Sequence, residues 1–289
     1  MKKIICLIFA VLLVLPITAC MKKTPNGTPD FPVTVGGTTL NKAPSKIAVL
    51  SPGIYAVMKK LDISATVVAV DEYTISEELT TVGTAQTPDI TTIDGLSCDL
   101  VLTNTALPAA AVEALKSKEI AVAVIPAPIK YEDLKKYYED IAAIACGNVA
   151  AFDIMEQKFT AFEAELSAVC NGEQNGQTAV LMLTPTIAAP RDTIGDKALY
   201  FGGFTNAAAS SENGEITAEK LKELNPDVIF CDAISMEIIK GNAALAELSS
   251  IKNGKVFPVS VMQMELLADG ILNMAMDMKN CGQPPVEPQ

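Results

Sequence analysis

Few side chains in this chain could do chemistry, and their types narrow what that chemistry is. The sequence holds seven cysteines, six tyrosines, a single arginine (Arg191) and no histidine. Without histidine there is no Ser-His-Asp or Cys-His catalysis, no imidazole metal ligand and no histidine pH switch. Beyond Cys6 and Cys20, the cysteines Cys98, Cys146, Cys170, Cys231 and Cys281 are scattered and form no CxxC pair, so zinc and dithiol motifs are unsupported. Cys98 and Cys231 adjoin predicted strands and read as small buried hydrophobes. No paired-carboxylate motif stands out, and no phosphate-cradling glycine loop follows a strand; Gly36-Gly37 reads as a turn. What remains is the chemistry of binding. A tyrosine offers an apolar face and a hydroxyl. A lone guanidinium suits a ligand carboxylate or phosphate, or else an ion pair with Asp192 or Asp196.

Cys20 stands apart from the other thiols. Lys2-Lys3, the apolar run from Ile4 to Pro16 and the ending Ile17-Thr18-Ala19-Cys20 make a charged start, an apolar centre and a small-residue end, the pattern of a secretory signal. The centre is too short to span a bilayer as a stable anchor. The Thr-Ala-Cys ending resembles a bacterial lipobox, which implies a diacylglycerol on the Cys20 thiol and cleavage before that residue. Residues 1–19 are therefore read as a signal peptide and 20–44 as a lipidated tether, rich in Thr, Pro, Gly and Asn, with a short strand near Phe31–Val35. Such a tether reaches on the order of 25 Å. This places the mature protein outside the cytoplasmic membrane, lipid-anchored to it.

Charge excludes one class of partner. Acidic residues outnumber basic ones 34 to 22, a net charge of −12. Nucleic acid, whose phosphates need clustered Lys and Arg, is not expected to bind.

The elements that must position the binding groups follow a regular alternation. Apolar, β-branched runs at Ile47–Leu50, Val67–Val70, Leu100–Thr103 and Ala121–Ile125 are separated by helical stretches at Ile54–Leu61, Ala109–Ser117 and Tyr131–Ala145. A second series follows, with strands at Ala179–Thr184, Asp227–Cys231 and Lys255–Val259 and helices near Ala218–Leu224 and Leu266–Met278. Strands alternating with helices predict mostly parallel sheets covered on both faces. The fold class is therefore α/β, two Rossmann-like lobes at residues 45–147 and 173–289. Between them, Phe152, Met155, Phe159, Phe162, Leu166 and Val169 form one apolar stripe on a helix. Asn148 can cap its start and Asn171-Gly172 its end, so 148–172 is read as a linking helix of roughly 33 Å. The lobes also echo each other. Ile93-x-x-Leu96-x-x-Asp99-Leu100-Val101 recurs 128 residues later as Leu221-x-x-Leu224-x-x-Asp227-Val228-Ile229, which supports a pseudo-twofold pair.

These motifs, in order, resemble the binding proteins that serve ABC importers of ferric siderophores, haem and vitamin B12. The matching stretches are 43–52, Val68-Ala69-Val70-Asp71, Val82-Gly83, 96–101, 117–124, Leu224-Asn225-Pro226-Asp227-Val228-Ile229 and 251–256. The resemblance implies two α/β lobes on one long helix, no enzymatic activity and an ABC permease as partner. It also implies no intrinsic cofactor, a cargo that carries iron or cobalt, and a monomer. Members of the family carry a docking glutamate in each lobe. Glu219 matches that position in the second lobe, though a first-turn acid also suits the helix dipole. Thr91 stands at the matching place in the first lobe, with Asp94 one turn on as a substitute.

Ligands of open parallel sheets bind beyond the carboxyl ends of the strands. By that rule the ligand-binding candidates are Ser51, Tyr55, Tyr73 and Asn104 from the first lobe and Arg191, Tyr200 and Met262 from the second. Strongly anionic ferric catecholates demand several basic groups, and few are at hand. Haem would be ligated only by tyrosine or methionine, whereas a corrinoid or a neutral hydroxamate siderophore suits a neutral cleft. The rivals are a tethered α/β-hydrolase, for which histidine and the nucleophile elbow are missing, and a structural or partner-binding surface lipoprotein without cargo.

Overall fold

The structure is a computed structural model and describes residues 30–281; Cys20 and the signal segment lie outside them. A hairpin of β1 (Val33–Val35) and β2 (Thr38–Leu40) comes first. The first lobe then runs β3 (Ile47–Leu50), α1 (Pro52–Lys60), β4 (Val67–Val70), β5 (Thr80–Thr81), α2 (Ile90–Gly95), β6 (Leu100–Thr103), α3 (Ala109–Ser117), β7 (Ala121–Val124) and α4 (Leu134–Cys146). The linking helix is α5 (Asn148–Ile154) and α6 (Thr160–Cys170), joined without a break by a π-helical turn at Met155–Phe159. The second lobe is β8 (Thr178–Thr184), β9 (Ile187–Ala188), α7 (Ile194–Phe201), β10 (Thr205–Asn206), α8 (Ala218–Leu224), β11 (Val228–Cys231), α9 (Ala233–Gly241), α10 (Ser249–Lys252), β12 (Val256–Pro258) and α11 (Asp269–Cys281).

Each lobe is a twisted sheet with helices on its faces. The first sheet has the order β5-β4-β3-β6-β7, all parallel, and the second has β10-β8-β11-β12, parallel, with β9 antiparallel on β8. The strands β3, β6, β8 and β11 are apolar on both sides because helices cover both faces.

The echo between the lobes has a physical basis. Asp99, just before β6, accepts the Ser45 N–H at 2.8 Å, the Ser45 hydroxyl at 2.7 Å and the Lys46 N–H at 3.1 Å, which ties it to the start of β3. Asp227, just before β11, accepts the Thr178 N–H at 2.8 Å and hydroxyl at 3.0 Å at the start of β8. Each aspartate sets the register of two central strands. Burial opposes ionisation of Asp99, but the bonds from Ser45 and Lys46 outweigh it and hold the carboxyl below the usual range. Those from Thr178 do the same for Asp227.

Two expectations from sequence are revised. The tether does not extend to residue 44. Val33 and Val35 are buried in the main core, and Thr38 donates its hydroxyl to the Val122 carbonyl, so the hairpin covers the free edge of β7. At Gly36, with φ +56°, a side chain would collide with the Val124 carbonyl, so only glycine lets the hairpin press so closely. The second revision concerns Phe152, which is 45 % exposed rather than core. The π-helical turn adds a residue to the turn and rotates Phe152 off the stripe that Met155, Phe159, Phe162, Leu166 and Val169 bury.

The two lobes share one apolar core. It takes α1 and α4 from the first lobe, the linking helix, and Leu267, Ala268, Ile271 and Ala275 from the second. At its centre Tyr138 is fully buried, edge-on to Phe159 and stacked near Phe162. Its hydroxyl donates to the Leu267 carbonyl at 2.5 Å, and Leu267 sits in the left-handed region at φ +50°. Lys60, at the end of α1, reaches Glu165 of α6 at 2.5 Å and Asp269 of α11 at 2.9 Å. Burial pulls the Lys60 pKa down, yet the two carboxylates more than offset it and leave it raised. A relative motion of the lobes would have to open this core.

Tyr138→Phe keeps the ring and leaves a buried carbonyl without its donor, so it is expected to cost about 1–3 kcal/mol. Equilibrium urea unfolding measures this, and an unchanged midpoint would show the hydrogen bond to be dispensable.

Candidate functional site

The carboxyl ends of both sheets meet at one seam. The loop after β7 pairs with the loop before α7: Lys130 and Thr193 form an antiparallel backbone bridge, the Tyr131 N–H donates to the Asp192 carbonyl at 2.9 Å, and the Ile194 N–H donates to the Ile129 carbonyl at 3.1 Å. The segment after β12, Val261–Leu266, lies on the start of α1, which itself begins at the end of β3. There a side chain at Gly53 would come within 2.3 Å of the Glu265 carbonyl. Strand-end loops of the two lobes therefore meet at this seam, and the groove along it is the candidate cleft.

The five most exposed large apolar side chains among the described residues all stand past the carboxyl ends of strands. Tyr73 (69 %) and Ile75 (97 %) follow β4, Ile129 (77 %) follows β7, Ile234 (75 %) follows β11 and Met262 (63 %) follows β12. Scattered exposed hydrophobics need no explanation, but a set gathered at the carboxyl ends of strands marks a binding surface. Charge in these loops is mostly acidic, with Glu72, Glu77, Glu78 and Glu265 exposed beside Lys130 and Arg191. Asp232 is occupied as the cap of α9, accepting the Ile234 and Ser235 N–H groups at 2.8 and 2.9 Å and the Ser235 hydroxyl at 2.7 Å. These bonds hold its carboxyl below the usual range. The Cys231 thiol, at the end of β11, is pushed up to about 12 by burial, so it stays protonated and is no nucleophile.

The residues expected from sequence fall into three groups. Tyr73 and Met262 are exposed in the cleft loops, Asn104 is half-buried at the end of β6, and Arg191 is exposed at the seam. Arg191 makes no ion pair with Asp192 or Asp196; Asp196 instead accepts the Asp192 N–H and the Asn206 amide. Tyr55 is half-buried against the core of α1, with Lys59 over its ring at 5.9 Å. Ser51 and Tyr200 are corrections. Ser51 is buried as the cap of α1, its hydroxyl accepting the Ile54 N–H at 3.3 Å. Tyr200 lies at the far end of α7, where its carbonyl accepts from Gln174, close to the start of β8 and so at the opposite edge of the sheet. α7 runs back along the sheet from the cleft, which carries its last turn away. Sequence reasoning missed Ile75, Ile129 and Ile234. Their signal was available, as apolar residues just past strand ends, but only exposure separates them from core.

The two proposed docking positions are structurally equivalent helix starts. Thr217 caps α8 through the Lys220 N–H, and Asp89 caps α2 through the Thr92 N–H, so Glu219 and Thr91 both stand at the second helical position. Glu219 is exposed, and bonds from its own N–H and the Thr217 hydroxyl hold its pKa down. Asp94 is paired with Lys118 at 2.5 Å. Asp89 is the carboxylate at the first-lobe helix start, with its pKa lowered by the Thr92 hydroxyl and N–H.

The profile of the periplasmic binding protein family matches residues 47–259. The chain belongs to that family. Its members are non-enzymatic binding components of transport systems. The fold is similar to the periplasmic haem-binding protein of Vibrio cholerae, at 18% identity and a TM-score of 0.68, covering 83% of this chain and 99% of that one. It is similar as well to the vitamin B12-binding protein of the same organism (18%, TM-score 0.58, 82% and 96% covered). A third similar structure is the ABC-type Fe3+-hydroxamate transport system of Saccharomonospora viridis (17%, TM-score 0.63, 88% and 100% covered). No protein of curated function matches the sequence. Among the described residues no helix is long and apolar enough to cross a membrane.

Proposed function

We propose that this protein is an extracytoplasmic solute-binding lipoprotein that captures a metal-chelate cargo in the interlobe cleft and delivers it to an ABC permease. The cargo class is a corrinoid, a haem or a neutral ferric siderophore, and it carries the iron or cobalt itself. The observation that carries this reading is the set of exposed apolar side chains, Tyr73, Ile75, Ile129, Ile234 and Met262, gathered at strand ends of both lobes. A bulky ligand with apolar faces would cover them, at roughly 25 cal/mol per Å² of apolar surface removed from water. Arg191 is the one guanidinium at the seam and suits a single carboxylate or phosphate on the cargo. The three similar structures are described as binding or transporting haem, vitamin B12 and ferric hydroxamate, which agrees with this class.

The test is calorimetric titration of the purified protein with haemin, cobalamin, a ferric hydroxamate and a ferric catecholate. One of the first three is expected to bind and the catecholate is not. Failure of all four would overturn the assignment. With the cargo in hand, Tyr73→Ala and Met262→Ala are each expected to weaken binding by about 1–3 kcal/mol, and Tyr200→Ala to leave it unchanged.

Docking follows from the matched helix starts. Glu219 serves the second lobe, and Asp89 is a better first-lobe candidate than Asp94, which Lys118 occupies. Exposed acids meeting a basic partner act on encounter and orientation more than on raw affinity. Glu219→Ala should therefore leave cargo affinity intact and weaken association with the lipid-reconstituted permease, most at low salt. Equal association across salt would reduce Glu219 to a helix-dipole residue.

Anchoring rests on Ile17-Thr18-Ala19-Cys20. Cys20→Ser should abolish lipid labelling and leave precursor or released protein. Normal processing and membrane retention of that variant would refute the lipid anchor.

A further inference from the structure

The turn that presents Tyr73 is built around a buried carboxylate. Asp71 follows β4 directly and is 3 % exposed. Its N–H donates to the Val49 carbonyl at 3.0 Å, which pins it to the end of β3. Its Oδ1 accepts the Thr74 hydroxyl at 2.5 Å, and its carbonyl accepts the Thr74 N–H at 3.3 Å. Tyr73 lies inside this closed loop with its ring in solvent. The Glu72 N–H donates to the Gly83 carbonyl at 3.0 Å, so the turn also leans on the segment returning after β5. The neighbouring chain ends, Val49 to Ser51 and Val82 to Thr84, contribute no ionisable group. Glu72 is the one charged neighbour that weighs on Asp71.

Burial, the largest influence, raises the Asp71 carboxyl above its ordinary pKa. The bonds from Thr74 and Tyr73 offset this only in part, and Glu72 adds to it. The sign of the linkage follows. A carboxyl whose pKa is raised by folding contributes most to stability when protonated, and that contribution is lost as pH rises through the raised value. Ionised Asp71 thus costs the fold some stability relative to the protonated form.

We propose that Asp71 is a positioning residue for ligand capture: ionised, it clamps the Asp71–Thr74 turn and holds the Tyr73 ring over the cleft. Hydrogen bonds to a charged acceptor are about twice as strong as neutral ones, so protonation weakens the Thr74 bond and loosens the turn, while the Asp71 N–H stays held by the Val49 carbonyl and keeps the carboxyl buried. The role rests on the cleft reading above, since Tyr73 is the group it serves.

The chain has no tryptophan, so Tyr73→Trp places a single indole reporter on the turn. The ligand-free protein is titrated from about pH 8 to about pH 4, a span that brackets a raised carboxyl, while indole anisotropy and far-ultraviolet dichroism are followed. The expected result is a fall in anisotropy, with unchanged dichroism, at a midpoint above the ordinary carboxylate value. In Tyr73→Trp/Asp71→Asn the anisotropy is expected to be low throughout with no transition, and the thermal midpoint to equal or exceed that of Tyr73→Trp. The same transition with and without Asp71, a fall that tracks unfolding, or a lowered thermal midpoint in the asparagine variant would each overturn the role. Cargo titrations judge the cleft separately, because this measurement contains no ligand.

Discussion

The buried contact of Tyr138 with Leu267 is where the two halves of this protein become one body. A hydroxyl from α4 satisfies a carbonyl from the segment entering α11, inside an aromatic cluster supplied by the linking helix. A polar pair so deeply buried is tolerated only when both partners are satisfied. It therefore fixes the segment after β12 against the first lobe, and with it the position of Val261–Leu266 over α1. Lys60 adds a charged tie at the edge of the same core, reaching the linking helix and α11 together. The core beneath the seam is continuous across the two lobes.

That continuity shapes how a ligand could be held. A protein that closes by hinge motion covers its ligand by moving whole domains, whereas a shared core confines adjustment to loops. The loops in question are those with exposed apolar residues, after β4, β7, β11 and β12. Their backbones are tied down by local bonds, as in the Asp71–Thr74 turn and the Asp232 cap. Stiff backbones presenting exposed aromatic and aliphatic side chains are suited to a bulky, largely pre-shaped ligand, for which little ordering cost remains on binding.

The pseudo-twofold relation extends from packing to surface. Asp99 and Asp227 brace corresponding strand pairs, and Asp89 and Thr217 cap the helices that precede them. The two helix starts differ in where the carboxylate stands: at the cap in the first lobe and at the second helical position in the other.

Much of this was legible in the residues alone. Short β-branched runs alternating with amphipathic stretches determine parallel sheets, because only helices on both faces can cover such strands. The aspartate before each central strand and the apolar stripe of the linking helix were readable from spacing, since periodicity is a local property. The absence of histidine bounded the chemistry without any structure. Other features needed the tertiary fold. The hairpin at 33–40 looked like tether because its two valines find their burial only against α4 and β7. Phe152 looked like core because a π-helical turn shifts its direction by one residue, which no spacing announces. Tyr200 looked like a cleft residue because its helix begins at the cleft, and only the path of α7 shows its last turn at the far edge. Ile75, Ile129 and Ile234 are apolar residues among many; what sets them apart is that nothing in the fold covers them, and exposure is decided by the whole chain rather than by any segment of it.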